Sequence, residues 1–320
     1  MKKGTIIALI VAAVLIVSGA AITAAGLFVS GSNGENWNAA TQVENRHVFS
    51  EEINGILIKT EDCDVTFVKV PEGDHSQVLC RERERVYHSV KVEDGVLKVE
   101  LVDNRKWYDH IGIFSEEMEM TVRLPEAQYE SLRVETATGD ITVPQALSFA
   151  QAQCVSATGE VEFSAPVTES LIANTDTGDI EIRGSATAML TLESDTGDIS
   201  VKEIKSDGEL HIMTDTGSIE LENIQCRILN LRNATGDIEL ERVFAADHLQ
   251  AYNDTGDVTI KDSDAGTVNI ETATGDVTGN FLSSKNYSNV FSESGRVGVP
   301  DANGGGECRI KTDTGNILIK

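Results

Sequence analysis

The nine residues Asn174-Thr175-Asp176-Thr177-Gly178-Asp179-Ile180-Glu181-Ile182 decide the fold, because variants of them recur ten times between Gly139 and Gly315. The marking glycines are Gly139, Gly159, Gly178, Gly197, Gly217, Gly236, Gly256, Gly275, Gly295 and Gly315, always 19 or 20 residues apart. A fixed period of that size is the signature of a solenoid, in which each repeat buries its apolar face only against its neighbours.

Counted from the glycine, positions −7 and −5 are apolar, as in Leu210 and Ile212 or Leu229 and Leu231. Positions −3 and −1 are Ser, Thr or Asn, as in Thr136 and Thr138 or Asn233 and Thr235. Positions +2 and +4 are apolar again, as in Ile180 and Ile182 or Ile219 and Leu221. Alternation at period two means strand, one face in and one face out. The inward set is odd before the glycine and even after it, so the parity flips at a corner that glycine suits. The −1 hydroxyls are therefore expected to face inward beside those at −3. Apolar residues at +7 (Ile204, Ile224, Val243) hint at a third, weaker side. The expected architecture is all-β: a single-stranded parallel β-solenoid of about ten coils over residues 131–320.

Ile56 to Phe67 reads as a worn copy, with Cys63 in the glycine place and Val65 and Phe67 at +2 and +4. Four further strands are expected at Gln77–Glu82, Val86–Val92, Val96–Val102 and Glu117–Leu124, with a hairpin turn at Glu93-Asp94-Gly95. Residues 47–130 are thus expected to cap the first edge of the solenoid. On the first of these strands Arg81, Arg83 and Arg85 alternate with Glu82 and Glu84, which reads as a salt-laced outer face.

The chain opens Met1-Lys2-Lys3 and carries no further charge until Glu35. Thr5–Val29 is about 37 Å long as a helix, enough to span a hydrocarbon core of roughly 30 Å. The domain plan is a cytoplasmic N-terminus (1–4), a transmembrane helix acting as signal anchor (5–29), a flexible linker (30–46), the cap and the repeat domain. The two lysines place the repeat domain outside the cell. The rival is a signal peptide cleaved near Ser18-Gly19-Ala20. The anchor is favoured because apolar sequence runs on to Val29.

Lys and Arg number 26 against 52 Asp and Glu, a net charge of −26, which excludes nucleic acid as a partner. The five cysteines form no CxxC. Cys154 and Cys308 sit at inward positions and read as small buried hydrophobes, while a Cys63–Cys80 bridge stays open. Six scattered histidines, with no HxH or HExxH, show no zinc site and no His-based catalytic site.

Two groups could carry function. Outward aspartates flank the corners, among them Asp176, Asp195 and Asp254 at −2 and Asp179, Asp198, Asp237 and Asp257 at +1. Stacked about 4.8 Å apart they could line a Ca²⁺ column, since Ca²⁺ takes six to eight oxygens. The favoured reading is a solvated rim in which Asp suits the turn and opposes aggregation, with no metal or other cofactor. The second group, Arg105, Lys106, Trp107, Tyr108 and His110, is a cationic, aromatic island of the kind found at partner contacts, or a loop covering the solenoid end.

The N-terminal apolar segment, the worn copy and the ladder of Thr-x-Thr-Gly-Asp-Ile phrases together resemble the DUF4097 family over roughly residues 45–320. The segment Val102 to Ile113 is similar to the same region of clostridial members. The resemblance implies a β-strand-repeat protein of the bacterial surface, of a kind labelled adhesin, and by analogy a link to envelope-stress signalling. The expected function is a membrane-anchored, extracellular, non-enzymatic solenoid that presents a surface to another envelope protein or glycan. The alternatives are a polysaccharide-active β-helix enzyme, told apart by carboxylates converging in a cleft, and a sensing partner of an envelope-stress system.

Overall fold

A computed structural model describes residues 42–71, 73–105, 118–184, 188–301 and 304–320. The expected transmembrane helix, Thr5–Val29, and most of the linker lie outside the described residues. Among the described residues there are strands and no helix, so none long and apolar enough to cross a membrane. The linker's last residues, Gln42 to Arg46, stand in strand β1 (Gln42–Phe49), which pairs with a later strand.

From Gly139 onward the repeat builds a parallel β-solenoid. Each coil has a long strand, such as Ser148–Thr158, the Gly corner, and a short strand, such as Val161–Phe163. Like positions stack in register: Ala152 on Leu132 and under Leu171, and Val161 between Ile141 and Ile180. The inward residues at −7, −5, +2 and +4 form one continuous core. A fully buried side chain of this type is worth roughly 1.5–3 kcal/mol.

The corner explains the glycine. Gly217 has φ +148°, and a Cβ there would lie 2.1 Å from the Gly197 carbonyl oxygen. The other corner glycines meet their neighbours in the same way, so the ten glycines mark about nine turns. From Gly139 to Gly275 each corner N–H donates to the −1 carbonyl of the adjoining coil, as Gly217 does to Thr235 at 2.9 Å. The −3 side chain points inward and donates to the corner carbonyl of the previous coil, as Thr214 does to Gly197 at 3.0 Å and Asn233 to Gly217 at 2.9 Å.

The −1 side chains do not follow. Thr158, Thr177 and Thr216 are exposed, against the expected inward placement. Strand pairing skips position −2, passing from Ser156↔Thr175 directly to Thr158↔Thr177, so the alternation breaks before the glycine is reached.

The third side is present in the middle coils. A second corner lies six residues after the glycine, with left-handed backbone at Gly184, Glu203, Asn223, Arg242 and Asp262. Behind it Ile204, Ile224 and Val243 turn inward and are buried.

At the N-terminal end the worn copy supplies β2 (Gly55–Lys59) and β3 (Cys63–Val70). Cys63 holds the glycine place, for a Cβ on Gly139 would lie 2.3 Å from its carbonyl oxygen. Next come β4 (Ser76–Arg83), β5 (Val86–Glu93), β6 (Val96–Asp103) and β7 (Met118–Pro125). Strands β6 and β7 run parallel to β2 and β3 as one more layer, while β4 and β5 pair antiparallel onto β7 and β6. The turn between β5 and β6 is left-handed at Asp94 and Gly95, as hairpin chemistry requires.

Chain order and spatial order differ at both ends. The worn copy is sandwiched between β6–β7 on one side and the Gly139 coil on the other. At the C-terminus the strand Gly306–Thr314 lies between Val258–Thr274 and Lys285–Ser294. The Gly315 coil is therefore inserted between the Gly275 and Gly295 coils, and the Gly295 coil is the outermost.

The open question of a Cys63–Cys80 bridge is answered by register. Cys63 pairs with Met118 and Cys80 with Met120, on opposite sides of β7. Two strand spacings separate them, about 9–10 Å, beyond the roughly 7 Å a disulfide can bridge. All five cysteines are free and buried.

Candidate functional site

The corner aspartates come first. Asp179 Oδ1 accepts the backbone N–H of Asp198 at 2.7 Å, Asp198 Oδ1 that of Ser218 at 2.7 Å, and Asp237 Oδ1 that of Asp257 at 2.8 Å. Asp257 accepts from Asp276, and Asp276 from Asn316. The +1 carboxylate thus satisfies a donor that the turn would otherwise leave unpaired. The −2 residues Asp176, Asp195 and Asp254 point outward and are exposed. Mutual repulsion shows at Glu160, whose carboxyl is pushed up by burial and by the neighbouring Asp140 and Asp179.

The cationic island is only partly visible. Arg105 folds back on Asp103, with its Nη2 2.7 Å from Oδ2. Lys106, Trp107, Tyr108 and His110 lie outside the described residues.

On the outward side of the long strands, the middle coils stack unlike residues. Position −4 places Met213 beside Arg232 and Arg232 beside Tyr252, while position −6 aligns His211, Asn230 and Gln250. These six line a shallow depression of about 240 Å³. Met213 is 41% and Tyr252 37% exposed. Arginine, tyrosine and methionine are the types enriched at binding surfaces, and here they interrupt an acidic chain. On the third side, grooves of about 490 and 640 Å³ adjoin each other and share Lys205, Gln225 and Phe244.

A further cluster went unseen in the sequence. Cys80 and Glu82 on β4 and His88 on β5 are buried, with ligand-capable atoms all within 4.8 Å of one another. His88 Nδ1 lies 2.9 Å from Glu82 Oε2, and its Nε2 lies 2.8 Å from Thr60 Oγ1. The His88 backbone N–H also donates to Glu82 Oε2, and Asn45 Nδ2 donates to Oε1. Burial pushes the Glu82 carboxyl up, but the hydrogen bonds from His88 and Asn45 outweigh it and hold it below the usual range. Burial pushes the Cys80 thiol up to about 12. The salt-laced face is corrected accordingly. Arg81 does pair outward with Glu119 at 3.0 Å, but Glu82 faces the core, and the largely buried Arg83 pairs with Asp62 at 3.1 Å. The available signal was parity, since Val78, Cys80 and Glu82 share one face of β4.

Comparison with known proteins bears on family and fold. The family model described as Toastrack DUF4097 matches residues 53–214 and 205–320. A search of curated proteins gives no match. Among solved structures, a "putative adhesin" from Parabacteroides distasonis ATCC 8503 is 12% identical, covers 88% of this chain and 98% of its own, and has a TM-score of 0.48. Another bearing the same description, from Bacteroides fragilis NCTC 9343, is 13% identical, with coverage of 88% and 99% and a TM-score of 0.38. A "putative lipid binding protein" from Parabacteroides distasonis is 13% identical, with coverage of 87% and 97% and a TM-score of 0.42. At these scores the likenesses carry no argument about what this chain binds.

Proposed function

Because the chain belongs to the Toastrack DUF4097 family, and its fold is a parallel β-solenoid, we propose that it is a membrane-anchored surface protein that uses the long outward face to bind another envelope component, protein or glycan. The observation that carries this reading is the tile of Met213, Arg232 and Tyr252 above His211, Asn230 and Gln250. It is central in the array and built on rigid paired strands, so the side chains are presented with little ordering cost. Its exposed Arg232 and Tyr252, with Glu193 lining the same depression beside Met213, suit a polar, sugar-rich partner. The acidic residues support presentation over hydrolysis, because those at +1 are spaced along the corners as hydrogen-bond acceptors. Anchoring would come from residues 5–29, with the N-terminus in the cytoplasm and the repeat domain outside.

The test is retention of the purified chain on isolated envelope material, with wall polysaccharide and membrane fractions assayed separately. The triple variant Met213→Ser, Arg232→Glu, Tyr252→Ala is expected to lose at least about tenfold in affinity, as removal of clustered anchors does. A third-side variant, Lys205→Ser with Phe244→Ser, is expected to bind as the parent does. Equal binding by parent and tile variant would reject this face. A mature N-terminus near Ala21 in the medium would replace the anchor with a cleaved signal peptide.

A further inference from the structure

We propose that Cys80, Glu82 and His88 form a buried structural site for a borderline-soft divalent metal ion, with zinc the best chemical fit. The three side chains combine thiolate, imidazole and carboxylate, the ligand set zinc uses, at about 2.0–2.3 Å from the ion. Two ligands of one tetrahedral ion stand about 3.3–3.8 Å apart, so a cluster already within 4.8 Å needs side-chain movements of about 1 Å to close on a metal. The His88 and Glu82 side chains are 1% and 0% exposed, and the second Glu82 carboxylate oxygen or one retained water would fill the fourth position zinc requires.

The surroundings are those of a metal ligand shell. His88 Nε2 has the Thr60 hydroxyl at 2.8 Å. His88 Nδ1 hydrogen-bonds Glu82 Oε2 at 2.9 Å, and a bound metal ion would take the place of the proton between them, which passes to Nε2. Metal-bound histidines commonly hand their other N–H to an acceptor, and the Thr60 hydroxyl oxygen stands in that place for Nε2–H. On binding, the Cys80 thiol gives up its proton to solvent and the sulfur takes up the metal. The ligands lie on the antiparallel strands β4 and β5, the part of the end layer furthest from the regular stacking. A metal there would fasten the cap without calling on the repeat.

The full-length chain would be unfolded, refolded with zinc or cobalt(II), and dialysed. Expected are one metal ion per chain and, with cobalt, a thiolate-to-metal charge-transfer band. Cys80→Ser should abolish the band, and Thr60→Val, which removes the acceptor for His88 Nε2–H, should weaken binding about tenfold. Cys154→Ser, buried elsewhere in the core, should leave the band intact. A parent chain that keeps no metal after refolding overturns the site, and so does a band that survives Cys80→Ser. If Cys80→Ser does not fold, the parent's metal content and cobalt spectrum decide the matter alone. None of these readouts depends on envelope binding, so this proposal and the binding face fail separately.

Discussion

At the scale of single residues, the two corners ask opposite things of the sequence. Within the regular coils the first corner is always glycine, so Gly217→Val is expected to cost several kcal/mol, from backbone strain and from a Cβ 2.1 Å from the Gly197 oxygen. Thermal or urea unfolding would show it, and a loss under about 1 kcal/mol would contradict the corner geometry. The second corner tolerates strain, with Glu203 left-handed at φ +61°. Glu203→Gly is expected to raise stability by roughly 0.5–1 kcal/mol in the same measurement, since a left-handed residue with a Cβ costs about 1–2 kcal/mol. The first corner was legible because one residue type marks it ten times. The second was not, because Gly, Glu, Asn, Arg and Asp all serve there and no composition signal survives. Likewise the inward −3 hydroxyls were read from alternation, while the −1 residues were misplaced because the alternation ends one step before the glycine.

At the scale of elements, the aspartate ladder and the hairpin differ in how openly they are written. Asp at +1 is a repeated letter, and its role as an acceptor across coils becomes visible only when coils are stacked. Asp198→Ala leaves the Ser218 N–H without its acceptor and is expected to cost about 1 kcal/mol, whereas Asp198→Asn keeps an acceptor oxygen and sheds charge, so it should be near neutral. Sodium chloride at matched ionic strength should raise the melting temperature nearly as much as calcium does, and a large shift with micromolar calcium alone would restore the metal column. Glu160 gives the same repulsion a pH sign. Its folded pKa lies above the unfolded value, so its ionisation penalises the fold at neutral pH, and the penalty fades as pH falls through that window to the ordinary glutamate value. Glu160→Gln should therefore stabilise the protein at pH 7 and do nothing well below pH 4, which parallel melts at the two pH values would check. The Cys80, Glu82 and His88 cluster had no such repetition. Its members are two and six residues apart around a turn, and only the core-facing parity of a glutamate betrayed it.

At the scale of the whole domain, the sequence shows the coils and conceals their order. Gly295 and Gly315 both obey the period, so nothing in the spacing says that the later coil stacks inside the earlier one. Two marks were present: the atypical neighbours Ser294 and Arg296, and the glycine-rich stretch around Gly304-Gly305-Gly306. In space the atypical coil is the terminal one, with Phe291 55% and Val297 46% exposed. Deleting residues 306–320 would strip a partner from both the Gly275 and Gly295 coils. The truncated chain is expected to lose protection from hydrogen exchange in Lys285–Ser294 as well as to melt earlier. Unchanged protection there would mean that the outer coil stands without the inserted one.

The same insertion decides how the protein bears load. A final strand lying at the edge of a sheet is peeled off rung by rung when its end is pulled. The strand Gly306–Thr314 is hydrogen-bonded along both sides, so tension on Lys320 acts on both rows of bonds in shear. At the other end the chain enters through β1, which pairs with β4, before it reaches the worn copy held between two layers. Under tension the inserted strand is thus held by two rows of bonds where an edge strand would have one.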